Sequence, residues 1–387
     1  MKTPFLVALC LALLCACAVP GKRPALEESV PGPGLFERVA VTAAARPDEL
    51  ARALERSLEY VRTRPLQEMP FGEDGPGATW ADLAATLEHL LCALPRLDSD
   101  PGLLARDFSW HEVRPEPLMT GYYEPELEGS LVPDPRYPVP LFGLPDSLHS
   151  VNLGRFHPRW EGQTLTYRVE DGKILPFFTR QEIDTAGALN ATETPVAWTR
   201  DLADVYFLQV QGSGRLRLPD GTERHVLYAG KNGHEYVSLG KVMIERGLIP
   251  KEEMSMQRIR AYLREHPEQV RELLNSNPSY VFFRLADAGP LGAMGRTLTP
   301  MVSVATDSAF LPLGSILAVE ADLPRQDGTA EPTAFLGLAQ DRGGAIKGSR
   351  LDLFCGAGEE AEFLAGHLQA RSRVFLLLKK QDSSCRP

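Results

Sequence analysis

The run from Leu338 to Phe354 constrains this chain more than any other. Two short apolar segments flank a connection that contains Gly343, Gly344 and Gly348, and glycine reaches positive-φ conformations that other residues resist. The predicted path is a tight doubling back of two strands. Each segment carries one carboxylate, Asp341 and Asp352, and the doubling back would set them close together. Two carboxylates on rigid elements suit acid–base chemistry. Asp beside Gly also makes ordinary turns and caps, and on this pattern alone the turn is the commoner outcome.

The rest of the chain bounds the choice. Its 387 residues, 43% hydrophobic and 24% charged, leave room for two domains. A formal charge of −10 excludes a general nucleic-acid binder, which needs a basic field. An anionic polymer would have to be held by local contacts.

The pattern along the chain starts helical. Asp48–Thr63 places Leu50, Leu54, Leu58 and Val61 at three- and four-residue steps, and Thr79–Leu91 opens with Thr79 and Asp82 in capping-box spacing. After Pro101 short extended segments take over. Asp171-Gly172 and Pro219-Asp220-Gly221 predict two hairpins, and Val205–Val210 reads as a further strand. Helical spacing returns over His234–Arg246, Ser255–Glu265 and Pro267–Asn275. Strands are then predicted at Leu298–Ala305, Ile316–Val319, Ala334–Ala339, Leu351–Cys355 and Val374–Leu378. Their spacing points to a small closed β-barrel. The expected class is mainly β with some α.

Most simple motifs fail. Gly212-Ser213-Gly214 lacks the third glycine and the Lys-Ser/Thr of a phosphate loop, and Ser213 is not in a G-x-S-x-G elbow. The histidines show no HExxH or i,i+4 pair, so neither a metal nor a cofactor is expected. Tyr122, Gln209 and Gln211 combine aromatic faces with amides, a pairing that suits sugar rings, although aromatics in strands are more often core. Lys231 and Asn232 lie in a glycine-rich loop where Lys231 either meets a ligand carboxylate or is simply solvated. Asp307 is a third aspartate, placed after a strand, where a turn is its ordinary role.

The first residues resemble an export leader. Phe5–Leu14 is apolar but short for a membrane span, and Leu14-Cys15-Ala16-Cys17 resembles a bacterial lipoprotein processing box. By that resemblance Cys17 is lipidated, with Cys15 the weaker candidate and an unlipidated secretory leader the alternative. Ala18 in place of aspartate then implies the outer membrane. The Pro- and Gly-rich stretch 18–34 reads as a tether. Cys92, Cys355 and Cys385 remain, with no CxxC spacing and their pairing open.

Several segments then match one family in order. They are Thr120–Pro125, Val210–Gly214, Tyr228–His234, Met254–Gln257, Asn277–Phe283, Asp341–Gly348 and Leu351–Phe354. Together they resemble the membrane-bound lytic murein transglycosylase A family with its C-terminal three-aspartate domain, over about Leu118 to the end. The resemblance implies a double-psi β-barrel domain, an inserted second β-rich domain and a groove between them. On that basis 35–120 packs as helices with the barrel, 121–288 is the insert and 289–380 is the barrel. It implies a peptidoglycan lytic exotransglycosylase that cleaves the β-1,4 bond between N-acetylmuramic acid and N-acetylglucosamine and leaves 1,6-anhydro ends. Glycan strands are the implied substrate, and cell-wall synthesis proteins are further partners. Asp352 falls on the catalytic place, with Asp341 in support and Asp307 more distant. Tyr122, Gln209, Gln211, Lys231 and Asn232 would line the groove. Arg342 departs from the common motif, and an inward guanidinium there would lower a carboxylate pKa. The rivals are a hydrolase that uses water at the same bond and a non-catalytic murein-binding protein.

Overall fold

A computed structural model of the chain describes residues 24–72, 75–189 and 195–384. The expected leader, Cys17 and Cys385 lie outside the described residues. Cys92 is disulfide-bonded, whereas Cys355 is a free, buried thiol.

The chain begins with β1 (Ala25–Glu28), α1 (Pro33–Ala45), α2 (Pro47–Val61), α3 (Trp80–Ala93), α4 (Leu103–Asp107), β2 (Phe108–Arg114) and β3 (Leu118–Glu124). α2 buries the expected stripe of Leu50, Leu54, Leu58 and Val61. The capping box of α3 is reciprocal: Thr79 Oγ1 accepts from the Asp82 amide at 3.2 Å, and Asp82 Oδ2 accepts from the Thr79 amide at 2.8 Å. The expected tether needs correction. Four residues within it, Ala25–Glu28, pair antiparallel with β2, and α1 begins at Pro33. Pro and Gly on both sides of Ala25–Glu28 masked this short strand, which sits at a sheet edge where such flanks are tolerated.

The middle of the chain holds β4 (Glu126–Ser130), β5 (Val139–Phe142), β6 (His149–Asn152), β7 (Thr164–Glu170), β8 (Lys173–Pro176), α5 (Arg180–Asp184), β9 (Pro195–Thr199), α6 (Leu202–Gln211), β10 (Ser213–Arg217), β11 (Glu223–Lys231), α7 (Leu239–Glu245), α8 (Met256–Glu265), α9 (Val270–Asn275) and β12 (Val281–Ala286). Six strands form a sheet in the order β12-β11-β10-β4-β9-β5, and β6-β7-β8 form a small one beside it. Both predicted hairpins are present. Asp171 and Gly172 sit at φ 48 and 73, the two positive values that a two-residue turn matching strand twist demands.

One predicted strand in this region is a helix. Val205–Val210 lies inside α6, because the segment is capped at both ends. The Asp201 carboxylate accepts from the Ala203 amide at 2.6 Å, and Gly212 at φ 86 closes the C-terminus by donating to the Leu208 carbonyl at 2.8 Å. A short apolar run does not itself distinguish a strand from a buried helix. The helix predicted from His234 starts only at Leu239, where Ser238 caps it.

The last segment supplies β13 (Ser303–Ala305), β14 (Ile316–Pro324), β15 (Ala330–Asp341), β16 (Leu351–Ala357), α10 (Glu359–His367), β17 (Gln369–Arg371) and β18 (Arg373–Lys379). With β1–β3 they make a nine-stranded sheet in the order β1-β2-β18-β14-β15-β13-β16-β3-β17. Its hydrogen-bonded order has two ends, β1 and β17, so the expected closed barrel is not what the pairing shows. The strand predicted from Leu298 shrinks to three residues, since Met301 at φ 60 breaks the extended path. A continuous apolar core joins α1, α2 and α3 to this sheet, through residues such as Leu54, Leu87, Leu317, Leu338 and Leu376. Separate apolar clusters fill the middle region. The two bodies are linked where β3 runs into β4.

Candidate active site

Asp341 ends β15 and Asp352 lies near the start of β16, but these strands do not pair with each other. β13 is inserted between them, and its Ala305 is the register partner of Asp341 on one side and of Asp352 on the other. The predicted tight doubling back is therefore a crossover over β13. Two strand spacings put the aspartate backbones about 10 Å apart. The Asp341 charge still acts on Asp352, as the smallest of the influences on its proton affinity.

Their surroundings differ. Thr120, opposite Asp352 on the parallel strand β3, donates its hydroxyl to Asp352 Oδ1 at 2.7 Å. Asp352 keeps some accessible surface, yet withdrawal from water dominates and raises its pKa from 3.8 to about 6. The Thr120 hydrogen bond and the charge of Arg350 oppose that rise, and the Asp341 charge adds a smaller push upward.

Asp341 is braced by three donors. Tyr122 Oη donates to Oδ2 at 2.8 Å, and the amides of Ala293 and Arg342 donate to Oδ1 at 2.9 and 2.8 Å. Burial raises its pKa, and the Tyr122 hydrogen bond is the foremost of the influences that hold it down. The Arg342 side chain is exposed, and its charge acts on Asp341 less than the three hydrogen bonds do. Tyr122 packs with Leu298, Ala305, Ile346 and Phe354 in a small buried cluster beneath both aspartates. Asp307 Oδ2 accepts from the Gly348 amide at 2.9 Å, so it pins the glycine-rich connection between β15 and β16.

The other expected site residues divide differently. Gln209 is buried in α6 and donates to the Val281 carbonyl at 3.2 Å. Gln211 Oε1 accepts from the Tyr123 amide at 3.0 Å and so braces β3. Asn232 is a structural staple: its amide donates to the carbonyls of Phe178 and Pro278 at 2.9 Å each, and its oxygen accepts from the Tyr280 amide at 2.9 Å. Lys231 alone of this group is exposed, at the end of β11. Asn232 thus spends its polar capacity on backbone groups inside the fold, and Gln209 commits its amide nitrogen there while its buried Oε1 has no hydrogen-bond partner among the described residues. A sequence pattern does not separate a buried amide of this kind from a ligand-facing one, because both are polar residues in apolar surroundings.

Two residues of the site were not anticipated. Thr120 lies in the Thr120–Pro125 motif, where the aromatics drew attention instead. Arg350 stands two residues before Asp352, and its charge acts both on Asp352 and on Tyr236 of the middle region. The aspartate-bearing end of the nine-stranded sheet therefore faces that region. Among the described residues, no group of three or more His, Cys, Asp or Glu side chains is arranged to hold a metal ion.

Fold and site define a two-body, β-rich protein with two desolvated aspartates, Asp352 held by one side-chain donor and Asp341 fixed by three donors. Residues 118–284 match the MltA specific insert domain, and residues 302–378 match the 3D domain. The membrane-bound lytic murein transglycosylase A of Vibrio cholerae is 36% identical over 281 residues, 71% of this chain and 69% of that protein. The crystal structure of a membrane-bound lytic murein transglycosylase from Agrobacterium tumefaciens superposes with a TM-score of 0.76 at 29% identity, covering 92% of this chain and 98% of that one. The Escherichia coli MltA structure with bound chitohexaose gives 0.66 at 28% identity, over 84% and 89% of the two chains. The chain belongs to the membrane-bound lytic murein transglycosylase A family, a family of peptidoglycan-cleaving lyases.

Proposed function

We propose that this chain cleaves the β-1,4 bond between N-acetylmuramic acid and N-acetylglucosamine in peptidoglycan and leaves a 1,6-anhydromuramoyl end. The observation that carries the reading is the contrast between Asp352, with a pKa near 6, and Asp341, held by three donors. Asp352 protonates the leaving glycosidic oxygen. The same carboxylate then takes the proton from the muramyl 6-hydroxyl as that oxygen closes on C1. The nucleophile belongs to the substrate, so proximity replaces the second carboxylate of an ordinary glycosidase. Asp341 is the supporting charge, and Asp307 acts through Gly348. The chitohexaose bound in the Escherichia coli relative supports a glycan as the ligand of this chain.

The parallel pairs β13–β15 and β3–β16 support a double-psi crossing of strands within this sheet, whose pairing is open between β1 and β17. A lipid on Cys17 and an outer-membrane location facing the periplasm complete the proposal. The names of the relatives support membrane attachment, and among the described residues no helix is long and apolar enough to cross a membrane.

The test is digestion of purified sacculi with wild type and Asp352→Asn, read by mass spectrometry. Wild type should release anhydro products, one water lighter than hydrolytic ones, and Asp352→Asn none. Products carrying the added water would establish a hydrolase instead, and solubilisation by Asp352→Asn at the wild-type rate would remove Asp352 from the chemistry.

A further inference from the structure

A cavity lies between α2 and the segment that precedes β13. It has a volume of about 350 Å³ and is lined by Arg46, Arg52 and Arg56 from α2 and its N-cap, and by Thr297–Pro300 from the segment before β13. Three guanidinium groups face one carboxylate, Glu49, which pairs with Arg46. Arg56 is held only by neutral acceptors, the Thr297 carbonyl at 3.3 Å and Thr299 Oγ1 at 3.2 Å. Arg52 is exposed, and among the described residues Arg46 is the cavity arginine that forms an ion pair, so Arg52 and Arg56 line it without a salt-bridge partner.

This cavity shares a wall with the active site. Leu298 lines it and also packs with Tyr122 and Phe354. Thr299, which holds Arg56, donates its amide to Ser303 Oγ at 2.7 Å; Ser303 Oγ donates to Gln340 Oε1 at 2.5 Å, and Gln340 precedes Asp341. A smaller apolar cavity of about 70 Å³, lined by Ala43, Leu50, Met301 and Phe335, adjoins Arg46. The fork of a guanidinium group matches the two oxygens of a carboxylate. An apolar recess beside them has room for a small side chain, which a peptide carries and a bare phosphate does not.

We propose that this cavity is an anion subsite that takes a peptide carboxylate, supplied by the stem peptide of the glycan bound at Asp352. The proposal rests on the murein-cleaving reading. The stem would give the chain a charged handhold on a polymer whose sugar backbone is neutral.

Two measurements on the full chain decide it. In the first, the soluble tetrapeptide released from sacculi by an amidase is titrated into wild type, Arg52→Lys and Arg52→Glu. Arg52→Glu should weaken binding about tenfold, the scale of one charge-assisted hydrogen bond, with Arg52→Lys in between. In the second, kcat/KM is compared on stem-bearing and stem-stripped glycan. The ratio of the two should fall about tenfold in Arg52→Glu. Equal tetrapeptide affinity in all three proteins overturns the proposal, as does an unchanged ratio. Loss in Arg52→Glu of binding to anionic phospholipid vesicles, with tetrapeptide affinity intact, overturns it in favour of a membrane contact. If wild type cleaves neither glycan, the murein-cleaving reading falls, and the tetrapeptide titration still decides the subsite.

Discussion

Thr120 and Asp352 face each other across the parallel pair of β3 and β16, and the Thr120 hydroxyl donates to the Asp352 carboxylate at 2.7 Å. That contact favours the ionised acid, while burial favours the protonated one. The outcome, a pKa near 6, suits a group that must give a proton and then take one back near neutral pH.

Raising the pKa of Asp352 carries a cost in stability. The folded chain binds a proton on Asp352 more tightly than the unfolded chain, so stability falls as pH rises from about 4 through 6 and the penalty is complete above that. A rise from 3.8 to about 6 corresponds to about 3 kcal/mol at neutral pH. Asp352→Asn should therefore be inactive yet more stable than wild type by up to about 3 kcal/mol at pH 8. The gain should vanish below pH 4, as read by urea denaturation at the two pH values.

Removing either influence that lowers the Asp352 pKa should move its titration upward. Thr120→Val deletes the hydrogen bond and Arg350→Gln deletes the neighbouring charge. In both variants the alkaline limb of kcat/KM against pH, where the acid loses its proton, should shift to higher pH. A downward shift in either would mean that the titrating group is not Asp352.

Tyr122→Phe should do the reverse. Without the 2.8 Å hydrogen bond, Asp341 ionises less readily, and its push on Asp352 weakens. The alkaline limb should move slightly down, with a stability loss of about 1–3 kcal/mol from the lost hydrogen bond to a buried carboxylate. Thermal denaturation and the pH profile check the two halves of this prediction separately.

A fourth prediction concerns the junction between the two bodies. Glu124, at the end of β3, is fully buried and meets Arg215 Nε at 2.8 Å and His225 Nδ1 at 2.9 Å, both from the middle region. Glu124→Gln removes the negative charge that pairs with Arg215 and replaces one acceptor oxygen with an amide donor. Arg215 keeps 36% of its side-chain surface exposed, so the loss should be about 2–3 kcal/mol, at or below the low end for breaking a buried pair. Denaturation monitored by tryptophan fluorescence measures it.

Much of the organisation was legible in local chemistry. The stripe of α2, the capping box of α3 and the Asp171-Gly172 hairpin are each written in a few adjacent residues, and each formed where expected. α6 was misread because its apolar run fits either a strand or a buried helix, and its deciding caps, Asp201 and Gly212, flank the run. β1 escaped because four residues between prolines and glycines carry no periodicity of their own.

Asp341 and Asp352 show the same division at the site. The sequence alone determined that two carboxylates flank a glycine-rich connection within a set of ordered motifs, and the resemblance carried by those motifs is what proposes Asp352 for the catalytic place. Only the tertiary structure decided how they are joined. β13 enters between them, Thr120 and Tyr122 arrive from a strand more than 200 positions away, and Gln209 and Asn232 turn inward to backbone partners. Turns and caps depend on neighbours along the chain. The proton affinity of a carboxylate depends on what lies across the sheet and on how far water is excluded, which only the folded chain settles.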